Sequence, residues 1–125
     1  MAAGGLPVPS DNSVKNTVLA ALEMQQFISK LHRKKTSLGQ EAFQMRVGIH
    51  TGPVVAGVVG KNKFAYDIWG STVNIASRLE NLCEEGGINI SSETRKYLEN
   101  KFKIQQSKSY EVKGSDKVEA HLVDF

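Results

Sequence analysis

Val14, Val18, Ala21, Leu22, Ile28 and Leu31 recur at helical spacing, and the stripe they make predicts a core-packing helix that runs through His32. Asp11, Asn12 or Ser13 can cap it, after a proline-containing entry loop over residues 6–13 (LPVPSDNS). The following HRKKTSLGQE is polar and basic and reads as a solvated connection whose cations lie near a helix C-terminus. Residues 45–51 and 53–59 then read as two strands joined at Gly52 and Pro53, the second so rich in valine that it should be covered; together they suggest a central hairpin. Residues 64–69 form a third strand, broken at Gly70 and Ser71. Val73, Ala76, Leu79 and Leu82 next make the apolar stripe of a second helix, for which Ser71 or Thr72 is a natural cap. Gly86 and Gly87 stop that helix. Residues 88–90 make a short strand and residues 93–100 a short helix. The chain closes with a hairpin, 110–112 against 118–123, turned through Gly114, Ser115 and Asp116. Alternation of Val118, Ala120 and Leu122 with Glu119 and His121 gives its second arm one buried face. The pattern as a whole is α+β, with helices on one face of a largely antiparallel sheet.

The same periodicity brings chemistry into view. Asn74 and Arg78 are four apart, so they share one face of the second helix and lie on the polar edge of its stripe. An amide and a guanidinium there reach the same ligand, although an N-x-x-x-R spacing by itself is common in helices. Asp67 precedes the break at Gly70, where an aspartate serving only a turn is the plain alternative. His50 shares a strand side with Arg46 and Gly48, and its expected fate is a structural hydrogen bond. GVVGKN at residues 57–62 invites a phosphate-loop reading. It fails, because Val55 stands where that loop needs glycine and Asn62 where it needs serine or threonine.

Composition narrows the class without deciding it. A chain of 125 residues allows one domain, and a net charge of +3 with pI near 9.0 suits an anionic ligand only weakly. No aromatic side chains interleave the basic run after His32, so a nucleic-acid partner is not expected. The single cysteine, Cys83, has no internal disulfide partner and reads as a buried thiol in a reducing compartment. No apolar run is long enough to span a bilayer. This segment is therefore expected to be cytoplasmic and free of membrane contact, with an anchor elsewhere in a longer parent left open.

MRVGIHTGPVVAGVVG at residues 45–60, followed by AYDIWGSTVNIASRLEN at residues 65–81, resembles the catalytic domain of class III adenylyl and guanylyl cyclases. MAAGGLP, LAALEMQQF, INISSET and EVKG resemble the same domain in order and at fitting distances. The resemblance implies a ferredoxin-like class III cyclase fold. Residues 1–125 would be a nucleotidyl cyclase catalytic domain lacking the N-terminal metal-binding strands. In the family those strands carry two metal-binding aspartates and a base-reading lysine, none of which has a counterpart here. The Mg²⁺ or Mn²⁺ ligands are accordingly expected from the missing N-terminal part. With the first strand of such a sheet absent, poor solubility or obligate oligomerisation is expected.

By the same resemblance, Arg78 matches the arginine that stabilises the transition state and Asn74 the asparagine that holds the ribose. Asp67 matches the base reader: a carboxylate accepts from the adenine amino group but opposes the lone pairs of guanine O6, which favours ATP over GTP. Lys113 matches a lysine on the phosphates, and Arg46 an arginine that reaches the triphosphate from the opposite subunit. The implied function is an adenylyl cyclase fragment, converting ATP to 3′,5′-cyclic AMP and pyrophosphate when a second cyclase subunit or the missing part completes it. A homodimer and a heterodimer are equally open. Alternatives are a non-catalytic nucleotide-binding and dimerisation module regulating a complete cyclase, or a guanylyl cyclase.

Overall fold

The computed structural model describes residues 1–111 and 117–125. Lys113, Val112 and the turn residues Gly114, Ser115 and Asp116 lie outside the described residues. Helix α1 (Ser13–Ser37) is the longest element and buries Val18, Ala21 and Gln25. It runs five residues beyond His32, because Arg33, Lys34 and Lys35 are good helix formers and the last-turn cations Lys34 and Lys35 suit the negative end of the helix dipole. Gly39 (φ 69°) then lets the chain turn, its N–H donating to Thr36 O at 3.1 Å. No side-chain cap forms at the other end, contrary to expectation. The Asn12 carbonyl accepts from Asn16 N instead, the first bond of the helix.

Strands β1 (Val47–Ile49), β4 (Ile88–Ser91), β6 (Val118–Asp124) and β5 (Lys103–Tyr110) form one sheet in that spatial order. β1 runs parallel to β4, while β4 with β6 and β6 with β5 are antiparallel. Strands β2 (Val55–Val59) and β3 (Ala65–Trp69) make a separate antiparallel pair. The central hairpin expected from residues 45–51 and 53–59 therefore does not exist. Gly52 and Pro53 redirect the chain instead of folding it back, so β1 finds β4 across helix α2 (Ser71–Asn81), and β2 pairs with the equally long β3 from Val55↔Trp69 to Val59↔Ala65. β2 is also not covered: Val55 is 68% and Val58 64% exposed, and among the described residues its main packing partner is β3 alone.

The closing hairpin is longer than the sequence suggested, its first arm beginning at Lys103. In KIQQSKSY only Ile104 and Tyr110 are half-buried, so this edge strand carries almost no apolar alternation. β6 beside it is covered on both faces, with Ala120, His121, Leu122 and Val123 all buried; the one-sided alternation expected there is overturned. Helix α3 (Ser92–Lys96) is shorter than the span 93–100, and Glu99 and Asn100 take positive φ just beyond it. Ser91 caps it, its Oγ accepting from Thr94 N at 3.2 Å.

The core joins Val18 and Ala21 of α1 to Ile49, Ile88, Ile90, Leu98 and Val123. Gln25 ties this face together. Its Nε2 donates to Met45 O and Gly87 O, each at 2.8 Å, which pins the residues leading into β1 and β4, while its Oε1 is buried without a partner.

Candidate functional site

Helix α2 is mounted on β1 by backbone contact. A Cβ at Gly48 would stand 2.2 Å from Glu80 N and 2.4 Å from Ala76 O, so only glycine permits this approach. One at Gly52 would stand 2.6 Å from Thr72 Oγ1. At the far end, Arg46 Nη2 pairs with Glu80 Oε1 at 3.0 Å. Thr72, Ala76 and Glu80 are four apart and make the face of α2 turned to β1. Asn74 and Arg78 fall on another face, and both are exposed. Among the described residues neither has a side-chain hydrogen bond or ion pair. The stripe that docks the helix differs in detail from the expected one, since Thr72 and Leu79 are its buried members. Nor does Ser71 or Thr72 cap it: Gly70 occupies that position, and the Thr72 hydroxyl donates to Pro53 O at 2.6 Å.

Asp67 sits in the middle of β3, directly opposite Gly57 of β2. It is a strand residue, not a turn aspartate. Its Oδ1 accepts from Ile68 N at 2.8 Å, which fixes the carboxylate along the outer edge of the strand, and the group is exposed. Across the β3–α2 break the chain thus sets a carboxylate, an amide and a guanidinium on exposed surfaces of adjoining elements. Such a set suits a ligand with a hydrogen-bond donor at one end and negative charge at the other.

Arg46 is joined to Glu80 rather than to Asn74 or Arg78. Both partners are more than a third exposed, so the pair is a surface bridge worth about 0–1 kcal/mol. Lys113 lies outside the described residues. Among those described, no group of three or more His, Cys, Asp or Glu side chains is able to hold a metal ion, and so they do not fit the divalent ion that the resemblance implies. The small pocket bounded by Leu82, Asn89, Lys108 and Tyr110 includes none of the candidate side chains. No described helix is long and apolar enough to cross a membrane.

Two histidines are structural. His50 Nδ1 meets Ser91 Oγ at 2.8 Å, and burial lowers its pKa against the opposing charge of Glu93. His121, absent from the sequence-derived candidates, bonds Ser92 Oγ at 2.8 Å and Ser107 Oγ at 2.7 Å. Burial lowers its pKa, helped by Arg95 and opposed by Glu119 and Glu93. No signal in the strand pattern singled it out, since alternation assigned it to the solvent face. Cys83 is buried and unpaired, and burial pushes its thiol up.

The family profile described as the adenylate and guanylate cyclase catalytic domain matches residues 1–124. Guanylate cyclase soluble subunit beta-2 of Rattus norvegicus is 37% identical over 98% of this chain and 18% of its own length. An adenylate cyclase of Mycobacterium bovis is 37% identical over 91% of this chain and 25% of its own. Among solved structures, the guanylyl cyclase Cya2 superposes with a TM-score of 0.87 at 29% identity, covering 96% of this chain and 62% of that one. The adenylyl cyclase CyaB from P. aeruginosa does so with a TM-score of 0.86 at 29% identity, covering 98% and 65%. The chain thus spans a quarter or less of these two curated relatives and under two thirds of these two solved chains. Sequence and fold agree that the chain belongs to the family of adenylate and guanylate cyclase catalytic domains.

Proposed function

We propose that this chain supplies the base-, ribose- and phosphate-contacting half of an adenylyl cyclase site, completed by a second cyclase subunit or by residues outside these 125. In this reading the ribose 3′-hydroxyl of ATP attacks the α-phosphorus in line, the bond to the β-phosphate oxygen breaks, and cyclic AMP and pyrophosphate leave. Asp67 accepts from the adenine amino group. Asn74 holds the ribose, which fixes the attack geometry. Arg78 faces the α-phosphate, where charge grows as the bonds exchange, so its contribution is larger in the transition state than in the ground state. Lys113 is assigned to the phosphates. Arg46 would have to leave Glu80 to reach a triphosphate bound by the opposite subunit. Mg²⁺ or Mn²⁺, which supplies charge neutralisation to such reactions, would be held by residues other than those described here.

The observation that carries the proposal is the pairing of an exposed strand carboxylate, Asp67, with exposed Asn74 and Arg78 one helical turn apart on the helix that follows. The exposed apolar side chains of the β2–β3 ribbon support a cyclase subunit as partner. A guanylyl reading has its own support in the guanylate cyclase subunit that is 37% identical over nearly the whole chain. The two differ in what Asp67 would face. The test is to measure cyclic AMP and cyclic GMP formed from ATP and GTP with Mn²⁺. The chain is assayed alone and then mixed with a complete class III cyclase subunit whose own asparagine and arginine have been disabled. Cyclic AMP from the mixture alone is expected. Predominant cyclic GMP would transfer the assignment to guanylyl cyclase, and silence from folded protein in both assays would leave a binding module and sink the catalytic proposal.

A further inference from the structure

The β2–β3 ribbon stands apart from the four-stranded sheet, and a two-stranded ribbon has little capacity to hold its own orientation. Its two roots are adjacent because Val55 pairs with Trp69. Rotation about that pair would swing Asp67 relative to α2, with glycines at positions 52 and 70 flanking the hinge. Across residues 52–70, among the described residues, one side-chain hydrogen bond leaves the segment, and it is Thr72 Oγ1 to Pro53 O at 2.6 Å. Thr72 is buried, and glycine at position 52 leaves the space its hydroxyl occupies. The bond ties the root of β2 to the first turn of the helix that carries Asn74 and Arg78.

We propose that Thr72 is a positioning residue: its hydroxyl on Pro53 O sets the angle between the ribbon bearing Asp67 and the helix bearing Asn74 and Arg78, so that all three address one nucleotide. This rests on the reading of Asp67 as the adenine contact. Asp67 lies two residues from the ribbon root, about 7 Å along the strand. Angular slack of roughly 10° therefore moves its carboxylate by about 1 Å, a misplacement able to cost about a hundredfold in rate. The loss should fall on base discrimination first, because Asn74 and Arg78 stay on α2, which Gly48 seats independently.

The test compares Thr72→Val, which keeps the shape and removes the donor, with Thr72→Ser, which restores it. In the complemented assay Thr72→Val is expected to lower kcat/KM for ATP about tenfold or more and to narrow the ATP:GTP ratio. Thr72→Ser should recover both, and in an Asp67→Ala background Thr72→Val should have no further effect on the ratio. A second measurement needs no turnover. Trp69 is the one tryptophan of the chain and sits at the ribbon root, 42% exposed. In the isolated Thr72→Val chain its fluorescence anisotropy should fall and its quenching by acrylamide rise, with far-UV circular dichroism unchanged. Gly52→Ala, which displaces the Thr72 hydroxyl by another route, should reproduce the change if Thr72→Val fails to fold. Trp69 behaviour equal to wild type in the folded variant, or equal losses for ATP and GTP, would overturn the proposal. Absence of product from the wild-type mixture would instead sink the catalytic reading on which the proposal rests, and the Trp69 measurement would still decide the hinge.

Discussion

Strand β4, half of whose residues are polar, and strand β2, which has no polar side chain, meet opposite fates. INIS of β4 is buried along its whole length, between β1 on one edge and β6 on the other. VAGVV of β2 has one neighbour, β3, and four of its five residues are exposed. The lesson is that apolar side chains declare a need for cover without naming what provides it. In the body the cover comes from α1, α2 and the sheet itself. On the ribbon it belongs, in the proposed function, to a second subunit, so the two regions should respond to different perturbations: the body to unfolding, the ribbon to association.

The comparison can be broken most forcefully at Leu79, fully buried on the inner face of α2. Leu79→Ala should cost about 2–5 kcal/mol in urea unfolding of the isolated chain. A loss no larger than that of a ribbon variant would remove the distinction. Arg78→Ala lies on the same helix but on its exposed face, and it should leave the urea midpoint in place while lowering complemented cyclase activity roughly 100- to 1000-fold. Val58→Ser on the ribbon should change the stability of the isolated chain by less than about 0.5 kcal/mol. It should nevertheless weaken association with the partner subunit, as read by analytical ultracentrifugation. Equal sedimentation of wild type and variant in that mixture would refute the ribbon's role.

The smallest expected effect is a pH response confined to the body. Burial lowers the pKa of His121 in the folded chain, so the unfolded chain binds more protons in the interval between the folded and unfolded values. Stability is fully present above the unfolded value of about 6.5 and declines as pH falls below it. His50, lowered for the same reason, adds to the slope. Urea midpoints taken at pH 7.5 and 5.5 should therefore fall on acidification, and His121→Gln should flatten the fall. A rise would show that His121 is stabilised in its charged form.

What the sequence makes legible is the part governed by local periodicity. The stripe of α1 and the shared face of Asn74 and Arg78 follow from helical spacing alone. Strand partnership does not. β1 looks like half of a hairpin because β2 comes next, yet its partner β4 lies beyond β2, β3 and α2, and no local pattern reports a parallel crossover. β5 is hidden for another reason: KIQQSKSY is a polar edge strand, held by pairing with β6 rather than by burial. His121 escapes notice because β6 is covered on both sides, which alternation does not reveal. Within the candidate site, Asp67, Asn74 and Arg78 are singled out by the family resemblance of their segment, while the Arg46–Glu80 pair and the Thr72 tie exist only once α2 lies on β1.

That seat has an evolutionary consequence. At Gly48 the helix rests on main chain, so there is no side chain at the contact whose gradual exchange could shift the helix by small steps. Asp67 stands on the exposed ribbon, where replacing one residue disturbs little else. Under the proposed assignment of Asp67 to the base, a lineage built on this plan can revise that contact on the ribbon while the groups assigned to ribose and phosphate stay where they are, which suits a family whose members are named for both adenylate and guanylate.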